Sequence, residues 1–244
     1  MKPVVLIPAR MASTRLPGKP LADIAGIPMI VRVWRQAVAA DLGPVVVAAA
    51  EYAIVAAIEG AGGRAILTAP DLPSGSDRIY AALEEIDPRG AHDVVVNLQG
   101  DLPALDPAYV RTVADTLIEA GTDIATLAAE IDDDADRDNP NVVKPVVAWE
   151  GERGRALYFT RARAPHGDGL LFHHIGIYAY TRNALTRFVK LAPSPLERRE
   201  KLEQLRALEA GMTIAVARVG AVPLSVDTPE DLQKARDLIA REGN

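Results

Sequence analysis

The sequence has no cysteine and only four histidines in 244 residues. Disulfides, thiolate metal sites and cysteine nucleophiles are excluded, and zinc has almost no ligands to draw on. A basic excess is also lacking. The formal net charge is -6, which argues against a nucleic-acid partner but leaves room for an acidic small molecule at a few local cations. No apolar run is long enough to span a membrane. The first one, residues 4–7, is broken by Pro8 and Arg10, too early for a secretory core, so a cytoplasmic address is expected. Long linkers, internal repeats and low-complexity segments are missing as well, and residues 1–244 read as one domain. What is present is ample core material: 49% hydrophobic against 25% charged residues excludes disorder.

The apolar residues fall into two rhythms. Residues 4–7, 45–47, 65–67 and 94–96 are short apolar runs of the kind buried on both faces of a parallel sheet. Between them, Met29, Ile30, Val33, Trp34, Ala37 and Val38 form one helical stripe, and Ile54, Val55, Ile58 and Ile79, Ala82, Leu83, Ile86 repeat that period. Strand alternating with helix predicts an α/β fold of Rossmann-like type, mostly parallel, with helices on both faces. After residue 120 the pattern changes. Residues 124–129, 142–149, 156–160 and 175–180 read as strands with few helices between them, a mixed lobe over about 120–190. Helix starts are expected at Ser194-Pro195-Leu196-Glu197 and Thr228-Pro229-Glu230-Asp231.

Residues 8–20 read PARMASTRLPGKP and follow the first strand, where open α/β sheets place ligands. Arg10, Arg15 and Lys19 stand there with no acid among them, beside the small residues Ala12, Ser13 and Gly18. Three cations on a backbone that a ligand can approach closely suit a polyphosphate; a solvated basic loop is the alternative. Gly18-Lys19 is followed by Pro20 and no glycine stands at 13, so this is not a Walker A loop, nor is it the dinucleotide fingerprint of a dehydrogenase.

The fourth strand ends in Asn97-Leu98-Gln99-Gly100-Asp101. An acid at a strand end beside phosphates suits Mg²⁺; a plain Gly-Asp turn is the alternative. Asp227 precedes a helix start, and taken alone it reads as a helix-dipole contact. Paired with Asp101 it becomes a second metal ligand. Ser74, Gly75, Ser76 and Arg78 join a loop to a helix and offer a backbone cradle, with Ser76 as the expected cap. His173 and His174 are adjacent on a strand and face opposite ways, so they cannot chelate one metal together, and a lone strand histidine is usually structural. Residues 196–206 carry charges at i,i+3 and i,i+4 spacing and read as an exposed helix, with Glu197, Arg198 and Glu200 solvated. Asp132, Asp133, Asp134 and Asp136 read as a solvated acidic run.

The stretch RMASTRLPGKPL resembles the signature loop of the 3-deoxy-manno-octulosonate (Kdo) cytidylyltransferases, and NLQGD and VDTPEDL resemble two further motifs of that family. The resemblance implies a nucleotidyltransferase fold and transfer of CMP from CTP to the anomeric hydroxyl of Kdo, releasing pyrophosphate, for lipopolysaccharide synthesis. It implies a catalytic set of Arg10, Arg15, Lys19, Asp101 and Asp227, with Mg²⁺ on the two aspartates. Nucleotide contacts are implied for Pro8, Ala9, Ser74, Gly75, Arg78 and Gln99. PSPLE, LEQLR, ALYFTR and HHIGIYAY are similar to family segments near the sugar and point to Gln99, Arg161, His174, Tyr178, Glu203 and Gln204. A homodimer, joined through the mixed lobe, is implied on the same ground. Two departures stand out: Leu102 occupies a place where many relatives carry an acid, and Ala48-Ala49-Ala50-Glu51 replaces a Thr-Asp pair. A cytidylyltransferase for amino-substituted Kdo, sialic acid or a sugar phosphate, and a CTP-binding protein without catalysis, are the competing expectations.

Overall fold

The computed structural model describes residues 1–13 and 15–242. The chain divides into two compact units, Met1–Arg111 with Pro223–Asn244, and Thr112–Val222. The second unit starts before the lobe expected at 120–190 and ends well after it.

In the first unit, strand β1 (Pro3–Ala9) is followed by a small hairpin, β2 (Asp23–Ile24) and β3 (Ile27–Pro28), and by helix α1 (Met29–Ala39). Then come β4 (Val45–Ala49), α2 (Tyr52–Gly60), β5 (Arg64–Leu67), α3 (Gly75–Ile86) and β6 (Val94–Asn97). Strands β5, β4, β1 and β6 lie side by side in that order, all parallel. Val4 to Ile7 and Val94 to Val96 are fully buried, as the continuous apolar runs require of a sheet covered on both faces. β1 runs through Pro8 rather than stopping there, because a proline near a strand end needs no ladder donor. The chain builds outward from β1 through β4 to β5, then returns to set β6 on the other side of β1. That reversal opens a crevice at the carboxyl ends of β1 and β6.

The closing helix Pro229–Glu242 brings Val226, Leu232 and Ala235 against Ile24 and Met29 in one apolar cluster. Thr228 accepts from the Asp231 amide at 3.2 Å, and the Asp231 carboxylate accepts in return from the Thr228 amide at 3.1 Å, so the expected helix start is a reciprocal cap.

Helix α4 (Pro107–Ala120) contains the unit boundary. The second unit continues with β7 (Ile124–Glu130), α5 (Asp134–Asp138), β8 (Lys144–Glu150), β9 (Arg153–Thr160) and β10 (Phe172–Thr181). α6 (Arg182–Val189), α7 (Pro195–Glu200), α8 (Leu205–Glu209) and β11 (Ile214–Val219) complete it. The strand order is β10, β7, β11, β9, β8. Only β11 and β7 run parallel; the other pairs are antiparallel. The sheet is mixed, as the change of rhythm predicted, though β11, a short apolar run at 214–217, was not among the expected strands.

The single helix expected over 196–206 is two. Lys201 takes a left-handed conformation with φ 56° and ends α7, and α8 starts at Leu205. Charge spacing alone could not show this break. Glu197 and Glu200 are also not solvated. Glu197 completes the expected capping box with Ser194 and takes a two-pronged bond from Arg206, at 2.6 and 2.8 Å. Burial pushes the Glu197 carboxyl up, but Arg206 and the cap outweigh it and its pKa is lowered. Glu200 accepts from the Thr160 hydroxyl at 2.8 Å and the Arg161 amide at 2.9 Å, tying α7 to the end of β9.

Lys144 opens β8 and is fully buried. Its ammonium donates to the carbonyls of Asn139, Val142 and Arg161 at 2.6, 2.7 and 3.2 Å. Burial lowers its pKa, against the pull of Asp138 and Asp136. Methionine would keep the shape but remove the donor from all three carbonyls, of which Asn139 keeps the Val142 amide at 3.1 Å. We expect Lys144→Met to lower stability by roughly 2–4 kcal/mol in urea denaturation; an unchanged midpoint would show that the carbonyls find other donors.

Candidate functional site

The crevice between the ends of β1 and β6 holds a cleft of about 380 Å³. Pro8, Ala9, Arg10, Arg15 and Lys19 line it from the loop after β1, Ser74, Gly75 and Arg78 from the start of α3, and Gln99, Gly100 and Asp101 from the loop after β6. Eleven positions read from separate stretches of sequence thus share one cavity. Thr14 of the loop lies outside the described residues.

Local chemistry fixes the two loops. Gly18 has φ 71°, open to glycine, and its amide donates back to the Met11 carbonyl at 3.3 Å, closing the loop before Lys19. A Cβ on Gly100 would stand 2.9 Å from the Pro8 carbonyl oxygen, so only glycine lets the two strand ends approach this closely. Glu51 accepts from the Met11 amide at 2.9 Å and so tethers the loop from the start of α2. No motif pointed to Glu51; the only hint was that it closes the departure Ala48-Ala49-Ala50-Glu51. The other departure is explained by burial, since Leu102 is 5% exposed and packs inward where a charge would be costly.

Lys19 stands at the centre. Its ammonium lies 3.0 Å from Asp101 Oδ2 and 3.1 Å from Asp227 Oδ1, and Arg15 reaches the same Asp227 oxygen at 3.2 Å. Asp227 is brought there by the Val226 amide, which donates to the Asp101 carbonyl at 2.9 Å. Burial pulls the Lys19 pKa down, but the two carboxylates more than offset this and it is raised. Burial raises the Asp101 pKa despite Lys19, with Asp227 adding repulsion. Two carboxylates therefore converge on one cation. Among the described residues no group of three or more His, Asp or Glu gathers as a metal site, here or elsewhere, so the protein offers two carboxylates. A pair of carboxylates is the donor set that suits Mg²⁺, which takes the rest of its ligands from water and phosphate oxygens.

The α3 start departs from expectation. Ser74, not Ser76, is the cap: its hydroxyl accepts from the Asp77 amide at 3.2 Å and donates to the Asp77 carboxylate at 2.7 Å. Ser76 lies inside the helix and is buried. Arg78, also buried, sends its guanidinium to the Thr68 hydroxyl and the carbonyls of Ala69 and Pro70, at 2.6, 3.0 and 3.3 Å. Burial lowers its pKa. Arg78 thus shapes the wall of the cleft by holding residues 68–70.

The remaining predicted residues lie in the second unit. His174 and Tyr178 sit on β10 with ring centroids 5.5 Å apart, and Phe159 meets His174 edge-on at 5.0 Å. Burial, with Tyr180 and Glu203, raises the Tyr178 pKa well above the ordinary value. Gln204 is 7% exposed, and its amide nitrogen has no hydrogen-bond partner among the described residues. Such an orphan donor is rare and suits a ligand acceptor. Glu203 is within 3.8 Å of Arg206. The Arg161 guanidinium donates to the carbonyls of Glu200 and Pro140 at 2.8 and 2.9 Å, a connection the sequence did not reveal.

Burial and the neighbouring His173 push the His174 pKa down to about 3, from an ordinary 6.5. The unfolded chain therefore takes up this proton first as pH falls. The stability contributed by the neutral ring is complete above 6.5 and is lost progressively down to about 3. We expect urea denaturation to show stability falling from pH 6.5 to about 5, where most carboxylates are still ionised, and His174→Asn to flatten that slope. Equal slopes in the two proteins would contradict the assignment.

A family model described as Cytidylyltransferase matches residues 4–214. The 3-deoxy-manno-octulosonate cytidylyltransferase of Parvibaculum lavamentivorans is 65% identical over 240 residues, covering 98% of this chain and 93% of that protein. The protein of the same name from Rhodospirillum rubrum is 62% identical, covering 97% and 95%. A solved structure of CMP:2-keto-3-deoxy-manno-octonic acid synthetase complexed with CTP superposes with a TM-score of 0.91 at 38% identity, covering 99% of this chain and 100% of that one.

Proposed function

Because the chain belongs to the cytidylyltransferase family, and within it to the 3-deoxy-manno-octulosonate cytidylyltransferases, we propose that it transfers CMP from CTP to the anomeric hydroxyl of Kdo and releases pyrophosphate. The observation that carries the assignment of roles is the convergence of Asp101 and Asp227 on one cation at the mouth of a strand-end cleft lined by Arg10, Arg15 and Lys19.

The protein's part in such a transfer is positioning and charge neutralisation. Arg10, Arg15 and Lys19 hold the triphosphate and stabilise the leaving pyrophosphate. The base and ribose lie toward Pro8, Ala9, Ser74, Gly75 and Gln99, with the wall kept in place by Arg78. Asp101 and Asp227 would hold Mg²⁺, which neutralises phosphate charge and lowers the pKa of an attacking hydroxyl when bound. For that, Lys19 must exchange its carboxylate partners for phosphate oxygens. In the second unit, Arg161, His174, Tyr178, Glu203 and Gln204 orient the sugar.

On the resemblance alone, the same proposal includes a homodimer acting in the cytoplasm. Among the described residues no helix is long and apolar enough to cross a membrane.

The test is pyrophosphate release from purified protein with CTP, Kdo and Mg²⁺, set against UTP, ATP and no-sugar controls. Release should need all three components. Asp101→Asn and Asp227→Asn, shown folded by circular dichroism, should each lose about a hundredfold or more in turnover. Near-full turnover in either variant would remove that aspartate from the mechanism, and release only with a different acid sugar would replace Kdo as substrate.

A further inference from the structure

We infer that Thr126 fixes the tautomer of His174, so that the imidazole presents Nδ1 as a hydrogen-bond acceptor to a hydroxyl of the acid sugar. The inference rests on the reading of the second unit as the sugar-orienting part.

The β10–β7 ladder is interrupted. Ile175 pairs with Leu127, but the next partner of the ladder, Thr126, pairs with Tyr178. Gly176 and Ile177 are therefore extra residues in a bulge, and bulges leave backbone groups without ladder partners. The Thr126 side chain fills the gap. Its Oγ1 lies 3.1 Å from the Ile175 carbonyl oxygen and 2.9 Å from the Ile177 carbonyl oxygen. The third neighbour is His174 Nε2, at 3.0 Å.

A threonine hydroxyl has one proton and two lone pairs. Two of its three neighbours are carbonyl oxygens, which can only accept, so the hydroxyl proton goes to them. The contact with His174 then works in one direction: Nε2 carries the proton and donates to Oγ1. If Nε2 were unprotonated, the hydroxyl would have to turn to it and abandon both buried carbonyls. A neutral imidazole protonated at Nε2 bears its lone pair at Nδ1. That nitrogen has no hydrogen-bond partner among the described residues. Phe159 and Tyr178 pack against the ring, with centroids 5.0 and 5.5 Å from it.

The consequence is chemical selectivity. A neutral acceptor takes a hydroxyl or ammonium donor and repels a carboxylate. His174 therefore reads a sugar hydroxyl, and the sugar carboxylate is held elsewhere. The depressed pKa of the ring agrees, since it stays uncharged at neutral pH. Thr126 acts through His174 and is a positioning residue.

Nitrogen-15 NMR of the whole protein with labelled histidine reads the tautomer without substrate. The His174 Nε2 signal should fall in the protonated range and Nδ1 in the unprotonated range. Kinetics then test the acceptor. His174→Asn places an amide oxygen near Nδ1, whereas His174→Gln keeps a donor near Nε2 but loses the acceptor. The KM for Kdo should rise about tenfold more in the Gln variant than in the Asn variant, with the KM for CTP unmoved. Thr126→Val should raise the KM for Kdo and Thr126→Ser should restore it. A proton on Nδ1, a charged ring, or a Gln variant equal to or better than Asn would overturn the inference. A wild-type protein with no turnover on Kdo would instead sink the proposed activity, while the spectrum would still decide the tautomer.

Discussion

The first unit is organised around one ammonium group held between two carboxylates. Lys19 can sit between Asp101 and Asp227 only because three separate segments end at the same point. β1 and β6 lie side by side, and Gly100 lets their ends approach. Gly18 turns the loop so that Lys19 points back over them. Val226, anchored in the apolar cluster of the closing helix, carries Asp227 to the mouth of the cleft although more than a hundred residues separate it from Asp101. Arg15, 3.2 Å from Asp227, sets a second cation against the two carboxylates, so the partly buried charges balance. The arrangement stores a cation where the proposed chemistry needs one, in a form that phosphate oxygens and a divalent ion can take over together.

In each unit, many polar groups work on the backbone rather than facing a ligand. Glu51 holds the loop amide of Met11, and Arg78 holds the carbonyls at 69 and 70. In the second unit Lys144 gathers three carbonyls, and Glu200 joins the end of β9 to α7. Such groups leave little freedom to the residues beside them. Arg161 is an example: its amide, its carbonyl and its guanidinium are all engaged, so the direction of its side chain is set before any ligand arrives. Preorganisation of this kind is what transfer by positioning requires.

Much of this was legible in the sequence where the signal is local. The apolar runs at 4–7 and 94–96 gave buried parallel strands, and the caps at Ser194 and Thr228 follow from residue chemistry at fixed spacing. The basic loop and the strand-end acid announced the cleft. What escaped was set by tertiary contact. Lys201 breaks a helix that charge spacing would continue, Ser74 takes the cap expected of Ser76, and Glu197 and Glu200 find buried partners their helical period does not reveal. Thr126 looked like one more strand residue, because a bulge in the partner strand is invisible to periodicity. β11 was not read as a strand, although residues 214–217 form a short apolar run like those at 45–47 and 65–67.

In the proposed reaction, the pair of carboxylates now holding Lys19 is the pair that takes the divalent ion. Electron paramagnetic resonance of Mn²⁺ with CTP present measures this directly, in the unaltered protein and in folded Asp101→Asn and Asp227→Asn. Protein-bound Mn²⁺ that appears with CTP and is weakened in each variant is the predicted result. Mn²⁺ bound equally well by all three proteins would place the ion elsewhere and leave the Lys19 cluster as a structural ion pair.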